Sequence, residues 1–121
     1  MENELSVFIK WDQLYTDSRD VAKMIDKRHD HLIRDIDGYV DIIGHSPKMG
    51  IDDFFIKSSY KAGTGKTYPC YLITKKGCEF VANKLTGEKG IIFTAAYVNA
   101  FHAMEDELNK QKNKFMALPK D

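Results

Sequence analysis

The sequence predicts a single α+β domain, and two kinds of pattern in its 121 residues carry that prediction. Apolar residues recur at helical spacing in residues 16–43 and again in residues 91–112. Between these segments, two runs rich in β-branched and aromatic residues are joined by a glycine-bearing stretch, which is typical of a β-hairpin. This length fits one hydrophobic core. We assign residues 1–112 to the domain and residues 113–121 to a tail.

Residues 16–43 predict two short helices joined by a tight polar turn. Asp17 or Ser18 can cap the first helix, because their side-chain oxygens accept backbone N–H groups of a first turn. A second apolar stripe begins at His29 and continues to Ile43, so a second helix starts there. Two helices with a short turn between them form the helix-turn-helix pattern.

The second helix has an apolar side and a polar side. At 100° per residue its aliphatic residues cluster together, and His29 falls in the middle of them, where it predicts a packed, hydrogen-bonded histidine. The opposite side carries Lys27, Asp30, His31 and Arg34. In a helix-turn-helix the second helix can enter a DNA major groove, and a plain helical hairpin is the alternative.

The two β-rich runs, residues 54–61 and 67–74, predict a hairpin whose tip is residues 62–66. Pro69 has no N–H to donate, which predicts a sheet edge or a bulge at that point. A hairpin that follows a helix-turn-helix and carries lysines is typical of the wing of a winged helix. The lysines are Lys57, Lys61 and Lys66, whose long side chains can reach phosphates.

The flanking segments complete the predicted architecture. Residues 5–15 predict a short strand with Trp11 packed inward. Residues 77–85 predict a helix, residues 86–90 break it, and residues 91–112 predict a long C-terminal helix. The apolar stripe of that last helix either closes the core or leaves a surface for a homodimer, and we favour the core.

Charge is balanced overall but unevenly distributed. Eighteen basic and eighteen acidic residues give no net charge, which argues against an indiscriminate nucleic-acid binder. Residues 57–76 nevertheless contain five lysines and no acidic residue, whereas the helix-turn-helix segment carries many aspartates. Attraction to phosphates must therefore depend on the lysine segment as much as on the second helix.

Several kinds of chemistry find no support in the sequence. Cys70 and Cys78 lack a metal-binding spacing and predict buried thiols in a reducing compartment. Residues 63–67 (GTGKT) look like the end of a phosphate-binding loop, but Tyr60 occupies the position of its first glycine. We find no nucleophile paired with a base and no set of metal ligands. The expectations are no enzyme activity, no cofactor, no metal, no membrane span and no secretory signal.

Six short blocks follow one another in order across about residues 15–108. They are residues 16–22 (TDSRDVA), 27–36 (KRHDHLIRDI), Phe54 with Tyr60, 68–77 (YPCYLITKKG), 85–89 (LTGEK) and 97–101 (YVNAF). Their order and spacing resemble the phage regulatory protein Rha family. The resemblance implies a phage or prophage protein of the bacterial cytoplasm that regulates transcription, often joined to an antirepressor-type C-terminal module. Asp26 departs from the glycine-containing turn that is usual in the family.

We therefore expect residues 1–112 to form a Rha-type, winged-helix-like domain that binds duplex DNA. Arginine pairs bidentately with guanine, so basic side chains of the second helix are expected at the major groove. The first helix N-terminus is expected to meet a phosphate, and the hairpin lysines are expected to hold the DNA backbone. The predicted contacts are Ser18, Lys27, Arg28, His31, Arg34, Lys57, Lys61 and Lys66.

The alternative is an antirepressor-like module that binds protein, capturing a phage repressor or a host protein. The zero net charge and the aspartates of the second helix favour this alternative. The basic hairpin favours DNA. Both hypotheses use the same fold, so the positions of the charged side chains discriminate between them.

Overall fold

The structure is a computed structural model that describes residues 4–46 and 48–116, with side chains described as far as residue 112. The four strands form one antiparallel sheet, and four α-helices accompany it, so the predicted α+β class is confirmed. The order of the strands in the sheet is β1-β2-β4-β3. The elements in chain order are β1 (Phe8–Lys10), β2 (Gln13–Asp17), α1 (Ser18–Met24), α2 (His29–Gly44), a 3-10 helix (Ile51–Asp53), β3 (Phe55–Lys61), β4 (Thr67–Ile73), α3 (Lys75–Ala82) and α4 (Gly87–Met116).

The N-terminal segment is a hairpin, so the single strand predicted for residues 5–15 is wrong. Trp11 and Asp12 form its two-residue turn with φ angles of 53° and 60°, the left-handed conformation that such a turn requires at both positions. The inward packing predicted for Trp11 is also wrong, because its side chain is 65% exposed. A side chain at the tip of a tight turn extends beyond the sheet, where no core faces it.

The predicted helix pair is present with its predicted start points. Asp17 caps α1, since its carboxylate accepts the backbone N–H of Arg19 at 2.8 Å. α2 begins at His29, as the apolar stripe indicated. Between the helices Asp26 adopts a φ of 56°, a left-handed conformation that aspartate tolerates better than most residues. Asp26 therefore provides the left-handed residue of the turn between α1 and α2.

The core lies between the sheet and the helices. α2 contributes Leu32 and Ile36, and the hairpin of β3 and β4 contributes Phe55 and Ile73. These side chains are almost completely buried, and each buried aliphatic or aromatic side chain contributes about 1.5–3 kcal/mol to folding. α2 packs mainly on α1, β4 and the 3-10 helix. Its outer side is left open: Arg34 is exposed.

α4 lies against α3, β1 and β2 and supplies a third part of the core. Phe93, Tyr97 and Phe101 are buried, one turn apart from each other. The helix starts at Gly87 and runs to Met116, so the bounds predicted for it, residues 91–112, are too short at both ends. Residues 117–121 of the predicted tail lie outside the described residues. Within the part of the chain that the structure describes, no helix is long and apolar enough to cross a membrane.

The predicted β-hairpin of β3 and β4 is confirmed, and its register explains the proline. Pairing of β2 with β4 ends at Leu72, so the half of β4 nearer the tip has β3 as its only neighbouring strand. The N–H of Tyr71 points to the open edge, and alternation along the strand directs the backbone nitrogen of Pro69 to the same edge. Pro69 therefore costs the hairpin no hydrogen bond, which agrees with the predicted edge position.

One buried hydroxyl joins α1, α2 and β4. The Ser18 Oγ accepts the backbone N–H of Tyr71 at 2.9 Å and lies 2.8 Å from Nε2 of His29. A neutral imidazole with its proton on Nδ1 satisfies both contacts, because the Ser18 hydroxyl then accepts from Tyr71 and donates its own proton to Nε2. Burial lowers the pKa of His29 below its ordinary value of 6.5 and outweighs the opposing charge of Asp17, which agrees with a neutral ring.

The junction between β4 and α3 depends on a close backbone approach. Thr74 caps α3 by accepting the N–H of Gly77 at 3.0 Å, and its own hydroxyl donates to the carbonyl of Asp53 at 2.6 Å. A Cβ at position 77 would meet the carbonyl oxygen of Phe54 and lie 2.7 Å from Cγ2 of Ile73. Only glycine fits between this helix and the start of β3.

We expect the stability of the fold to decrease as the pH falls below about 6.5, because the unfolded chain then binds a proton that folded His29 resists. One such proton contributes a slope of at most about 1.4 kcal/mol per pH unit. Urea denaturation between about pH 7.5 and pH 5 measures it. His29→Gln is the control, since an amide accepts the Ser18 hydrogen bond without titrating. An equal slope in both proteins would contradict the assignment.

Two glycine substitutions should act in opposite directions. Gly77→Ala should destabilise the fold by about 1–3 kcal/mol or more, because its Cβ overlaps backbone. Gly38→Ala, at an exposed position inside α2 with nothing within 4 Å of the new Cβ, should stabilise it by about 0.5–1 kcal/mol. Thermal denaturation followed by circular dichroism compares them. If both variants lose the same stability, the close approach at Gly77 is not what restricts that position.

Candidate nucleic-acid interface

The open side of α2 carries more acid than base. Its exposed and half-buried polar residues include Asp30, Asp35, Asp37, Asp41, His31 and Arg34. Two of these aspartates are paired within the surface, Asp30 with Arg28 at 3.0 Å and Asp35 with Lys27 at 2.6 Å. Ion pairs between exposed side chains contribute little to stability because water and salt screen them, so Lys27 and Arg28 can exchange these partners for another anion at low cost.

Ser18 has a structural role in place of the phosphate contact predicted for it. Its side chain is 0% exposed, and its hydroxyl is engaged by His29 and Tyr71. No atom of the side chain faces outward. The sequence pattern could not distinguish Ser18 from Asp17 as the cap of α1, and the structure gives that role to Asp17.

Sequence reasoning missed Arg19, which is held in place by two partners. Its guanidinium donates to both carboxylate oxygens of Asp17, at 3.0 and 2.8 Å, and its central carbon lies 4.0 Å from the ring centroid of Tyr60. Although burial alone would raise the pKa of Asp17, the hydrogen bonds and charge of Arg19 hold that pKa below its ordinary value. The contact with Tyr60 joins α1 to β3, far apart in the chain, so no local spacing signals it.

A cleft of about 830 Å³ opens where α1, the turn and β3 meet. Basic side chains from the helix-turn-helix line it, and acidic side chains lie between them. This distribution keeps the local charge low, so the cleft alone does not mark a strong anion site. Its charged lining residues are Arg19, Lys23, Lys27, Arg28, Asp17, Asp20 and Asp26.

Two of the hairpin lysines, Lys57 and Lys61, lie on the side of the sheet that α2 covers. Side chains two apart on a strand share a face, so Lys57 and Lys61 share the face of Phe55. The ring of Phe55 lies 6.4 Å from that of Tyr39 in α2. Tyr71, which is directly opposite Lys57, donates its hydroxyl proton to Asp37 of α2 at 2.6 Å. The exposed lysines of β3 and the open side of α2 therefore border the same surface.

Tyr60 and Tyr68 form a cross-strand pair on the other face of the hairpin. Their ring centroids are 5.9 Å apart, and Tyr60 also lies 6.0 Å from the ring of His29. These contacts bring the hairpin against the N-terminal end of α2 next to Arg28. Lys66 is exposed in the hairpin loop. The structure thus brings Arg28 close to the hairpin. Lys61 ends β3 beside the hairpin tip, and Lys66 lies in the tip itself.

Comparison with known proteins agrees with the resemblance seen in the sequence. Residues 16–106 match the family described as phage regulatory protein Rha. Over 108 residues, 89% of its length, the chain is 48% identical to a Bacillus subtilis (strain 168) protein named "SPbeta prophage-derived putative antirepressor protein YoqD". It is also 29% identical over 99 residues, 82% of its length, to an uncharacterized protein of Haemophilus influenzae.

The chain spans less than two thirds of these relatives, 43% of the first and 56% of the second. No solved structure matches it. The matched segment of the chain includes α1, α2, the β3–β4 hairpin and most of α4, and so every residue of the candidate interface. The family match covers well over half of the 121 residues. The chain therefore belongs to the phage regulatory protein Rha family.

Proposed function

We propose that this chain is a phage or prophage regulatory protein that binds duplex DNA in the bacterial cytoplasm and thereby controls transcription. The observation that carries the proposal is the pair of exposed lysines on β3, Lys57 and Lys61, on the side of the sheet that α2 covers. A basic strand beside a helix with an open side can contact the phosphate backbone and a groove together. Neither a cofactor nor catalysis is part of this proposal.

The topology supports a winged-helix-like arrangement. A strand, two helices with a short turn and a hairpin follow each other, and three strands lie in the order β2-β4-β3. In this arrangement α2 is the reading helix and the hairpin is the wing. α2 is also long enough, at 16 residues, to extend beyond its contact with the sheet.

Each side chain in the proposed interface has a chemical role. Arg28, His31 and Arg34 approach base edges in the major groove, where arginine can donate two hydrogen bonds to one guanine. Lys27 contacts the backbone beside them. Lys57, Lys61 and Lys66 hold phosphates along the wing and carry most of the affinity, because phosphate contacts release counterions.

A second candidate function is the capture of a protein, such as a phage repressor or a host protein. The aspartates on the open side of α2 support it, since they complement a basic protein surface better than DNA. The name of the Bacillus subtilis relative supports it as well. Pull-down of a phage repressor by a chain that shifts no DNA would favour this second function.

A homodimer through α4 is compatible with either function. Ile91 and Ile92 near the start of α4 are 72% and 42% exposed, an apolar surface beyond the part of the helix that closes the core. A twofold dimer would present two copies of α2 to two half-sites. Analytical ultracentrifugation of the chain and of Ile91→Lys tests the dimer.

Replacing both Lys61 and Lys66 with alanine should weaken binding to every duplex alike. The slope of log affinity against log salt should decrease by about one unit for each lost phosphate contact. Gel shifts with DNA flanking the protein's own gene, at several salt concentrations, measure the slope. The double variant Lys89→Ala and Lys110→Ala is the matched control, because it removes the same charge from exposed positions on α4. An unchanged slope would exclude the hairpin from the interface.

Arg34→Ala should reduce discrimination between DNA sequences rather than general affinity. Loss of one bidentate contact with guanine costs about 1–3 kcal/mol at that base pair and little elsewhere. Competition between the preferred duplex and duplexes with single base-pair changes gives the specificity ratio. A uniform loss across all duplexes would instead make Arg34 a phosphate contact.

A further inference from the structure

A second, smaller cleft lies between the hairpin and the N-terminal end of α2. It has a volume of about 350 Å³, and its lining is mostly apolar or aromatic. Tyr68 is the exposed aromatic of this cleft, with 41% of its surface accessible, although it is flanked by the half-buried Tyr60. The lining is Arg28, His29, Asp30, Ile33, Tyr60, Tyr68 and Pro69.

The aromatic side chains that line this cleft are held in place by neighbouring residues outside it. Tyr60 is fixed by the Arg19 guanidinium, 4.0 Å from its ring centroid, and Arg19 is in turn fixed by Asp17. Tyr68 lies beside Tyr60 with an angle of 34° between the ring planes. The guanidinium of Arg19, the ring of Tyr60 and the ring of Tyr68 therefore form a series of neighbouring planar groups, and the exposed ring of Tyr68 is the last of them. A further planar group on the exposed ring of Tyr68 would extend the series.

The surrounding charges fit an anionic strand. Arg28 is at the rim of the cleft. Its ion pair with Asp30 is exposed, so Arg28 can exchange Asp30 for another anion at low cost. Lys66 precedes Tyr68 by two residues at the exposed tip of the hairpin, whereas Lys61, which follows Tyr60 directly in β3, points to the opposite face. Cations beside a stacking aromatic are the combination that binds single-stranded nucleic acid.

The backbone at this cleft argues against a peptide strand. A peptide that extends the sheet needs N–H and C=O partners along the open edge of β4. The N–H of Tyr71 is already taken by Ser18, and Pro69 has none. Of the three β4 positions whose backbone nitrogen faces this edge, only Thr67 at the tip thus retains an N–H that a peptide strand could use. A ligand that is held by stacking and by charge suits the cleft better.

We propose that Tyr68 is a stacking platform for an unpaired nucleobase, with Arg28 and Lys66 on the adjoining phosphates. The site deepens the proposed DNA-binding function and rests on it for the direction from which nucleic acid approaches. Bases inside a duplex already stack on their neighbours, so Tyr68 would take a base from a single strand, a melted region or an extruded nucleotide.

Fluorescence anisotropy with a labelled oligothymidylate of about 15 nucleotides tests the platform. Tyr68→Ala should weaken binding by about tenfold or more, the effect of losing one stacked base. Tyr68→Phe keeps the ring and should stay within about twofold of the unsubstituted chain. Trp11→Ala removes another exposed aromatic, far from the cleft in sequence, and should have no effect. Circular dichroism melting verifies that each variant is folded.

The outcomes separate this proposal from the one on which it rests. No binding of the oligonucleotide, equal binding by Tyr68→Ala, or equal losses in Tyr68→Ala and Tyr68→Phe would overturn the stacking platform. A Tyr68→Ala variant that loses only a protein partner would also overturn it and would make the cleft a protein contact. Oligonucleotide binding that depends on Tyr68, without any binding of duplex, would support the platform and overturn the duplex function.

Discussion

The geometry of the whole candidate interface depends on the hydroxyl of Ser18. One oxygen accepts the N–H of Tyr71 in β4 and hydrogen-bonds the ring of His29 at the start of α2, while its own residue begins α1. Thus α1, α2 and β4, the strand that pairs with the lysine-bearing β3, meet at a single atom. A buried polar group without its partner costs about 1–3 kcal/mol, so a change in the angle between the helices and the hairpin would be opposed by this group.

The hydrogen bonds of Ser18 also show what local sequence patterns cannot predict. Periodicity and capping residues were enough for α1, α2 and the β3–β4 hairpin, because these elements are specified by neighbours three or four residues apart or by a glycine-rich turn. The role of Ser18 depends on a partner 53 positions away. Trp11 was misplaced because its hydrophobicity predicted burial, whereas the register of β1 with β2 puts it in the turn. Gly87 was read as a break because glycine commonly ends a helix, but here it starts α4.

The residues of the candidate site likewise fall into two groups, those that the sequence pattern predicts and those that only the fold brings together. The hairpin lysines were visible in the sequence as a run of charge, and the strand alternation that directs them toward α2 follows from the register. Arg19 was not visible, since its significance comes from Tyr60 and Asp17 together. Tyr68 is a comparable case: its neighbour Pro69 suggested an edge, but only the fold brings that edge to the N-terminal end of α2.

If the chain binds DNA as proposed, the aspartates of α2 would favour selectivity over affinity. With no net charge, the chain is not drawn to DNA beyond the screening length of about 10 Å at 0.1 M salt, so orientation depends on the lysine row at close range. Asp30 forms an ion pair with Arg28, and Asp35 forms one with Lys27, so DNA would have to displace these carboxylates. Any phosphate can compete for Lys27, but a guanine edge suits the planar fork of Arg28. In such a complex, nearby acids would weaken binding at non-specific sites more than at a matched one, which would raise the specificity ratio while lowering total affinity.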